Sequence, residues 1–266
     1  MQCASGRASQ DVDIFVQCRY LILTHRLGRL AMPSDTPQGA TSAAPQSAEA
    51  AYVALKRDLI RGHYAPTEKL LMNELKARYA IGVGPLREAL TRLVGERLVT
   101  SVNQRGYRVA PMSLSELEAL YDARAELEGL LAKLAIERGD DTWEAAILAA
   151  AHRLSRVSEL HSGDDMLDLW DARHQSLHTA IVDGCGCPPL LQARAALFDQ
   201  AQRYRHLWLH QTVFSVEALA AKRVEHAALI ERVLARDAEG AARALRDHLL
   251  TPVAIIQRRL TERGWA

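Results

Sequence analysis

Two histidines lie four residues apart in a predicted helix, so the imidazoles of His174 and His178 project from the same helix face. His226 and His248 fall in two later helical segments, which a bundle can bring to the same interior. Neutral imidazole is the commonest ligand for zinc, nickel and similar ions. The four histidines therefore predict a divalent-metal site for Zn or Ni, with ordinary core or surface histidines as the alternative. Asp171, one turn before His174, is either an oxygen ligand or a partner that fixes an imidazole tautomer.

The predicted bundle helices contain arginines that are candidates for binding an anion. Arg124 and Glu128, four residues apart, form either an ion pair on a solvated helix face or part of a pocket. In a pocket, the guanidinium of Arg124 would hold a carboxylate through two hydrogen bonds. Arg203 and Arg205 flank a tyrosine and are able to serve the same anion. The spacing leaves these alternatives open, and we take Arg124 and Arg205 as candidate effector-binding residues.

A second kind of chemistry is indicated by residues 82–93. Gly82 and Gly84 allow the backbone to turn, and Pro85 falls in a first helical turn, where no N–H is needed. One apolar stripe follows: Leu86, Leu90 and Leu93. This spacing turns Arg87 and Arg92 away from the stripe, toward phosphates or base edges. The pattern is typical of the recognition helix of a winged helix-turn-helix, and an amphipathic helix with solvated arginines is the alternative.

A short β-hairpin is predicted after this helix. Residues 98–102 and 107–109 have strand character and are separated by a four-residue turn, 103–106. Arg105 beside Gly106 at the tip is well placed to reach a narrow minor groove. A solvated turn residue is the alternative for Arg105.

The elements that position these residues are mostly helices. The 266 residues are 48% hydrophobic but only 5% aromatic, with short β-branched runs. A first helix from Glu49, with an apolar face between Tyr52 and Ile60, and a second helix capped by Thr67 precede the recognition helix. Six helical stretches follow, roughly 114–138, 143–161, 165–183, 189–210, 215–235 and 238–262. We predict a mainly α fold, with a winged helix-turn-helix of three helices and a hairpin before an antiparallel six-helix bundle.

Charge divides the chain at the same place. Residues 49–112 carry 11 Lys and Arg against 6 Asp and Glu, a balance of +5. Residues 113–266 carry 18 against 23, a balance of −5. A basic module before an acidic one suits a nucleic-acid reader with a sensor or dimerisation domain. The predicted domains are a DNA-binding domain at 49–112 and an effector-binding and dimerisation domain at 113–266, after a detachable extension at 1–48.

Several classes of protein are disfavoured. The four cysteines form no CxxC pair, which fits a reducing cytoplasm. The sequence contains no run of about 18 apolar residues, so we predict no membrane helix and no membrane partner. We find no Ser/His/Asp order, Gly-rich phosphate loop or HExxH motif, so we predict no catalytic residues and no enzyme. A metal-dependent enzyme with an accessory binding module is the competing class.

Residues 85–90, residues 103–109 and the C-terminal bundle resemble the GntR superfamily of bacterial transcription regulators. The resemblance covers about residues 49–262, and the bundle is similar to the ligand-binding (FCD) domain of the FadR subfamily. Residues 82–90, 179–186 and 249–252 are similar to those of a member that represses genes for glutarate use. The resemblance implies a cytoplasmic homodimer that represses a catabolic operon by binding a palindromic operator in double-stranded DNA. It also implies release by a small carboxylate, glutarate or similar, bound at a metal.

The resemblance implies DNA contacts at seven positions: Asn73, Gly82, Val83, Gly84, Arg87, Arg105 and Gly106. Family members usually have side chains at 82–84 that contact DNA, whereas Gly-Val-Gly offers mainly backbone N–H groups. Base specificity is therefore expected to depend more on Arg87 and the wing. Among the metal ligands, His178, His226 and His248 match the family pattern, while His174 occupies the position of a usual aspartate. Arg124 matches a residue near the effector pocket.

Overall fold

A computed structural model describes residues 47–102 and 106–265. Its N-terminal part contains three helices and three strands: α1 (Ala48–Ile60), β1 (Lys69–Leu70), α2 (Met72–Tyr79), α3 (Val83–Gly95), β2 (Val99–Val102) and β3 (Gly106–Val109). The strands form an antiparallel sheet in the order β1-β3-β2, with Lys69 opposite Arg108 and Val102 opposite Gly106. The predicted extension at residues 1–48 falls almost entirely outside the described residues.

The C-terminal part is helical. It contains α4 (Leu114–Arg138), α5 (Asp141–Ser155), α6 (Gly163–Asp165), a π-helical segment (Met166–Asp171), α7 (Ala172–Asp183), α8 (Pro188–Leu209), α9 (Val216–Leu234), α10 (Ala238–Leu250) and α11 (Val253–Glu262). Ser113 caps α4, as predicted, because its Oγ accepts a hydrogen bond from the Glu116 N–H at 3.1 Å. The predicted fold class, a mainly α protein with a winged helix-turn-helix and a helical bundle, is confirmed. Across both described ranges, no helix has the length and apolar character needed to cross a membrane.

Two parts of the predicted helix pattern are wrong. Thr67 does not cap a helix: its φ is 66° and its N–H donates to the Val109 carbonyl at 3.2 Å. This segment pairs with β3 instead, so α2 begins only at Met72. The predicted last helix is divided at Pro252, which has no N–H to continue the backbone ladder of α10.

The hairpin and the third bundle helix also differ in detail. The strands occupy 99–102 and 106–109, so Gly106 begins β3 rather than ending the turn. Arg105 lies outside the described residues. The helix predicted over 165–183 begins with α6 and the π-helical segment, which then runs directly into α7.

Two main hydrophobic cores hold these parts together. The N-terminal core contains the predicted stripe of Leu86, Leu90 and Leu93, all with 0% exposure, packed against Leu55 and Leu59 of α1. The larger core fills the bundle between α4, α5, α7, α9 and α10. A smaller cluster joins α4, α8 and α11 beside Met112, in the segment that links the two parts. Burial of this kind supplies most of the stability of each part.

Candidate metal centre and nucleic-acid interface

The four predicted histidines meet inside the bundle. His174 and His178 come from α7, His226 from α9 and His248 from α10. One nitrogen from each lies within 4.8 Å of the others. The Nε2 atom of His174 is 3.0 Å from Nε2 of His178 and 3.1 Å from Nε2 of His248. An ion bound at about 2.1 Å separates neighbouring ligand atoms by about 3.0–3.4 Å, so this spacing fits a divalent metal.

Hydrogen bonds orient two of the rings. The Nδ1 atom of His226 donates to the Lys222 carbonyl at 2.6 Å, and Nδ1 of His248 contacts the Glu225 carboxylate. Each of these bonds leaves the Nε2 lone pair free to face the cluster. The Nε2 of His226 is buried and has no hydrogen-bond partner among the described residues. Such an orphaned nitrogen is expected where a metal would bind.

Burial also sets the charge of the cluster. Desolvation and neighbouring imidazoles hold the pKa values of His174 and His178 well below the usual range. Burial and the nearby His248 lower the pKa of His226 to about 4, and burial lowers the pKa of His248 although Glu225 opposes the shift. All four rings are therefore neutral at pH 7, which is the form that coordinates metals.

Asp171 lies behind the cluster. Its Oδ1 accepts hydrogen bonds from Arg205 Nε at 2.7 Å and from Gln175 Nε2 at 3.1 Å. Burial raises the pKa of Asp171, but Arg205 and His206 outweigh that effect and lower it to about 2. The π-helical segment positions this aspartate, and it also stacks Trp170 on His174, with ring centroids 4.7 Å apart. Of the two predicted roles for Asp171, this geometry favours the partner that orients an imidazole.

The second predicted effector residue, Arg124, belongs to a buried charge network. Its Nε is 3.3 Å from Glu128, and the two residues are 3% and 0% exposed, so this is not a solvated helix face. Arg194 of α8 joins them, with Nε 3.0 Å from the other Glu128 oxygen. That oxygen, together with Nε and Nη2 of Arg194, lacks a well-aligned hydrogen-bond partner in the described structure. The charges of Arg124 and Arg194 act on the nearby His178.

An open cavity of about 820 Å³ is lined mainly by α5, α7 and the turns beside them, and the described lining residues include none of Arg124, Glu128 and Arg194. Phe198 lines the cavity and has the guanidinium of Arg124 5.2 Å from its ring centroid. Thr179 also lines it and accepts a 3.3 Å hydrogen bond from Arg194. Phe198 and Thr179 thus contact the arginine network and also line this cavity.

Sequence reasoning missed three residues of this region. Arg194 lies 11 residues before Arg205, three helical turns, so their spacing alone places both on one face of α8. Glu225 immediately precedes His226, but its contact with His248 depends on how α9 packs on α10. His206 has Nε2 3.4 Å from Asp171, a contact between α8 and the π-helical segment that no local spacing reveals.

The predicted DNA-contact residues that the structure describes lie on the surface of the N-terminal part. Gly82 is the N-cap of α3, and Val83, Gly84 and Arg87 are exposed in its first turns. Asn73 is exposed on α2, and Gly106 begins β3 with a φ of 90°. Within the described ranges Arg87 has no ion-pair partner, which leaves its guanidinium available to a phosphate or base. A helix N-terminus with free N–H groups also suits a phosphate.

Arg92 does not belong with them. Its guanidinium carbon lies 3.4 Å from the ring centroid of Tyr52, and Nη1 donates to Glu49 at 2.7 Å. Both partners are on α1, so the Arg92 side chain connects α3 to α1 through these contacts. Arg92 is therefore already paired within the domain, and a contact of Arg92 with DNA stays a prediction.

A winged helix-turn-helix followed by a helical domain with a histidine cluster defines a class of bacterial transcription regulators. Residues 47–109 match the model described as bacterial regulatory proteins, gntR family, and residues 119–251 match the FCD domain. The chain belongs to the GntR family, and it is a DNA-binding transcription regulator with an FCD domain.

Relatives agree with this assignment. The chain is 58% identical over 203 residues to the HTH-type transcriptional repressor GlaR of Escherichia coli (strain K12), covering 76% of this chain and 92% of GlaR. It is 32% identical over 211 residues to the HTH-type transcriptional regulator BphR of Paraburkholderia xenovorans (strain LB400), covering 79% and 84%. The fold is similar to that of E. coli McbR/YncC, with a TM-score of 0.67, 19% identity and coverage of 80% and 97%. Because the family and these relatives are regulators, the competing assignment as a metal-dependent enzyme is not supported.

Proposed function

We propose that the chain is a homodimeric, cytoplasmic repressor that is released from its operator by a small dicarboxylate, glutarate or a close analogue. The family membership and the similarity to the GlaR repressor support repression through a palindromic operator. The observation that carries the effector part is the position of the four-histidine cluster next to a buried arginine network with one surplus positive charge.

The histidines would bind the metal ion, and the arginines would bind one carboxylate of the effector. His178, His226 and His248 would hold a divalent ion, zinc or nickel, with His174 beside them. The ion would supply positive charge and open coordination positions for one carboxylate. Arg124 and Arg194 would pair with the second carboxylate, because Glu128 neutralises only one of the two cations. Arg205, predicted as an effector ligand, donates to Asp171 and lies beside His174.

Helix α8 would carry the signal to the DNA-binding domain. It supplies Arg194 near the histidines, and Asp199 farther along forms an ion pair with Lys56 of α1. Arg203 of the same helix donates to the Ala110 carbonyl at 2.7 Å, in the segment that links the domains. A shift of α8 on effector binding would therefore change the population of domain arrangements that fit the operator. A coupling free energy of about 1–3 kcal/mol is enough for useful regulation.

The test uses full-length, metal-loaded protein and an operator selected from random duplex DNA. Glutarate should raise the melting temperature and weaken operator binding in fluorescence anisotropy. Both effects should disappear in His178→Ala, decrease in Arg194→Gln and persist in Arg232→Gln, a half-exposed arginine of α9. Salt-dependent operator binding with no response to glutarate or its analogues would refute the effector part and leave the DNA-binding part standing.

A further inference from the structure

A second cavity, of about 270 Å³, lies between the winged helix and the bundle. One wall comes from the end of α1 and the turn after it, residues 59–66. The opposite wall comes from the C-terminal turns of α8, with Met112 and Trp265 completing the enclosure. The histidine cluster contributes no residue to this cavity.

The lining of this cavity is cationic. Six of its residues carry a guanidinium or an imidazole: Arg61, His63, Arg203, His206, His210 and Arg263. No aspartate or glutamate is among its described lining residues. Apolar and aromatic groups form the remaining walls, chiefly Leu59, Leu207 and Trp265.

Three of the six basic groups are matched by carboxylates outside the cavity. Arg61 forms an ion pair with Asp168 of the π-helical segment. His63 lies 3.4 Å from Asp58, and His206 lies 3.4 Å from Asp171. Arg61 and His63 therefore need no further anion, and His206 is matched only at Nε2.

Arg203 is different. It is only 6% exposed, yet within residues 47–102 and 106–265 no carboxylate reaches ion-pair distance of its guanidinium. Its one described hydrogen bond goes to the Ala110 carbonyl, and burial lowers its pKa. Glu116, whose charge acts on it from farther away, accepts a hydrogen bond from Tyr204. A buried arginine that lacks a counterion is unfavourable unless an anion compensates it.

Two neighbours extend this unmatched region. Arg263 at the rim has its guanidinium carbon 5.1 Å from the Trp265 ring centroid and, in the described ranges, no carboxylate partner. The Nδ1 atom of His206 is buried and has no hydrogen-bond partner there. Two arginines, His206 and the Trp265 indole thus line one small space.

We infer that this interdomain cavity is a second ligand site, which binds a small organic carboxylate through Arg203 and Arg263 while Leu59, Leu207 and Trp265 enclose its apolar body. The site is separate from the histidine cluster and does not depend on a metal. Because both domains supply walls, an occupant bridges them and favours the domain arrangement in which the walls are close.

Benzoate is a suitable probe because it joins one carboxylate to a flat apolar body. Isothermal titration calorimetry on full-length, EDTA-treated protein should show saturable binding of benzoate, and none of the uncharged benzyl alcohol. His178→Ala should bind benzoate as the wild type does. Arg203→Gln should bind it roughly tenfold or more weakly, because the charged hydrogen bonds are lost. Arg232→Gln should be unchanged.

Arg263→Gln keeps the test decisive if Arg203→Gln does not fold, since Arg263 is exposed. It should weaken benzoate binding by at least about threefold. The proposal is overturned if wild-type protein shows no saturable binding up to about 10 mM benzoate. Equal binding of benzyl alcohol, unchanged affinity in the folded arginine variants, or loss of binding in His178→Ala would each overturn it as well.

Discussion

The guanidinium of Arg205 faces the imidazole of His174, with Nη2 3.2 Å from Nδ1. Arginine can only donate a hydrogen bond, so Nδ1 of His174 must accept. A neutral His174 therefore carries its proton on Nε2, the atom that points at His178 and His248. In His226 and His248 the arrangement is reversed. Nδ1 donates a hydrogen bond away from the cluster, and Nε2 carries no proton. The four histidines are thus not equivalent.

This difference predicts unequal effects on metal affinity. His226→Ala and His248→Ala should each weaken zinc or nickel binding by about a hundredfold or more, since a ligand is removed. His174→Ala should weaken it by less than about tenfold, because its proton occupies the nitrogen that faces the cluster. Competition titration with a chromogenic chelator measures each affinity. An equal loss in all three variants would show that His174 is a full ligand.

The buried pair of Asp171 and Arg205 gives a stability prediction. Asp171→Leu leaves the guanidinium of Arg205, 7% exposed, without its carboxylate, and should lower the free energy of unfolding by about 3–5 kcal/mol. The double variant Asp171→Leu, Arg205→Leu removes both charges and should recover part of that loss. Urea denaturation followed by circular dichroism compares the variants. A double variant less stable than either single variant would show that each side chain has further essential contacts.

Asp58 should make the winged helix sensitive to acid. It is 2% exposed and accepts hydrogen bonds from Tyr79 at 2.8 Å and Arg78 at 2.9 Å. Burial raises the pKa of Asp58, but bonds from Tyr79, Arg57 and Arg78 outweigh it and hold the pKa below the usual value. A carboxylate with a lowered pKa stabilises the fold above its ordinary pKa of about 3.9, and this stabilisation is lost as pH falls below that value.

Asp58→Asn should therefore cost about 1–3 kcal/mol at pH 7, and the difference from wild type should shrink below about pH 4. Urea denaturation at a series of pH values measures both quantities. The exposed Asp122→Asn on α4 is the control and should behave as wild type. A penalty that stays constant down to about pH 3 would mean that the aspartate charge is not the source of the stabilisation.

Arg87 and Arg92 form a matched pair on α3. Arg87→Ala should weaken operator binding by about tenfold to a hundredfold and relax base preference, because an exposed guanidinium near the start of α3 is lost. Arg92→Ala should leave base preference unchanged and lower stability instead, since Arg92 contacts Tyr52 and Glu49. Anisotropy titrations at fixed salt against operator and mutated operator duplexes separate the two. Full operator affinity in Arg87→Ala would refute its role in recognition.

Much of this protein could be predicted from local patterns. The spacing of Leu86, Leu90 and Leu93 indicated which face of α3 is buried, and the four-residue spacing of His174 and His178 placed both rings on one face. Both inferences depend only on the period of an α-helix, which is the same wherever the helix lies in the fold. Charge balance and turn residues likewise separated a basic winged helix from a helical bundle.

Only the tertiary structure decided which side chains meet across elements. The strand at Lys69 and Leu70 exists because β3 supplies its partner, and Thr67 had suggested a helix there. Arg92 looked identical to Arg87 by spacing, but α1 brings Tyr52 and Glu49 to one and not to the other. Arg194, Arg203 and His206 have roles that depend on contacts with α4, the linking segment and the π-helical segment. A helical period determines the direction of a side chain, whereas its partner depends on how distant parts of the chain pack together.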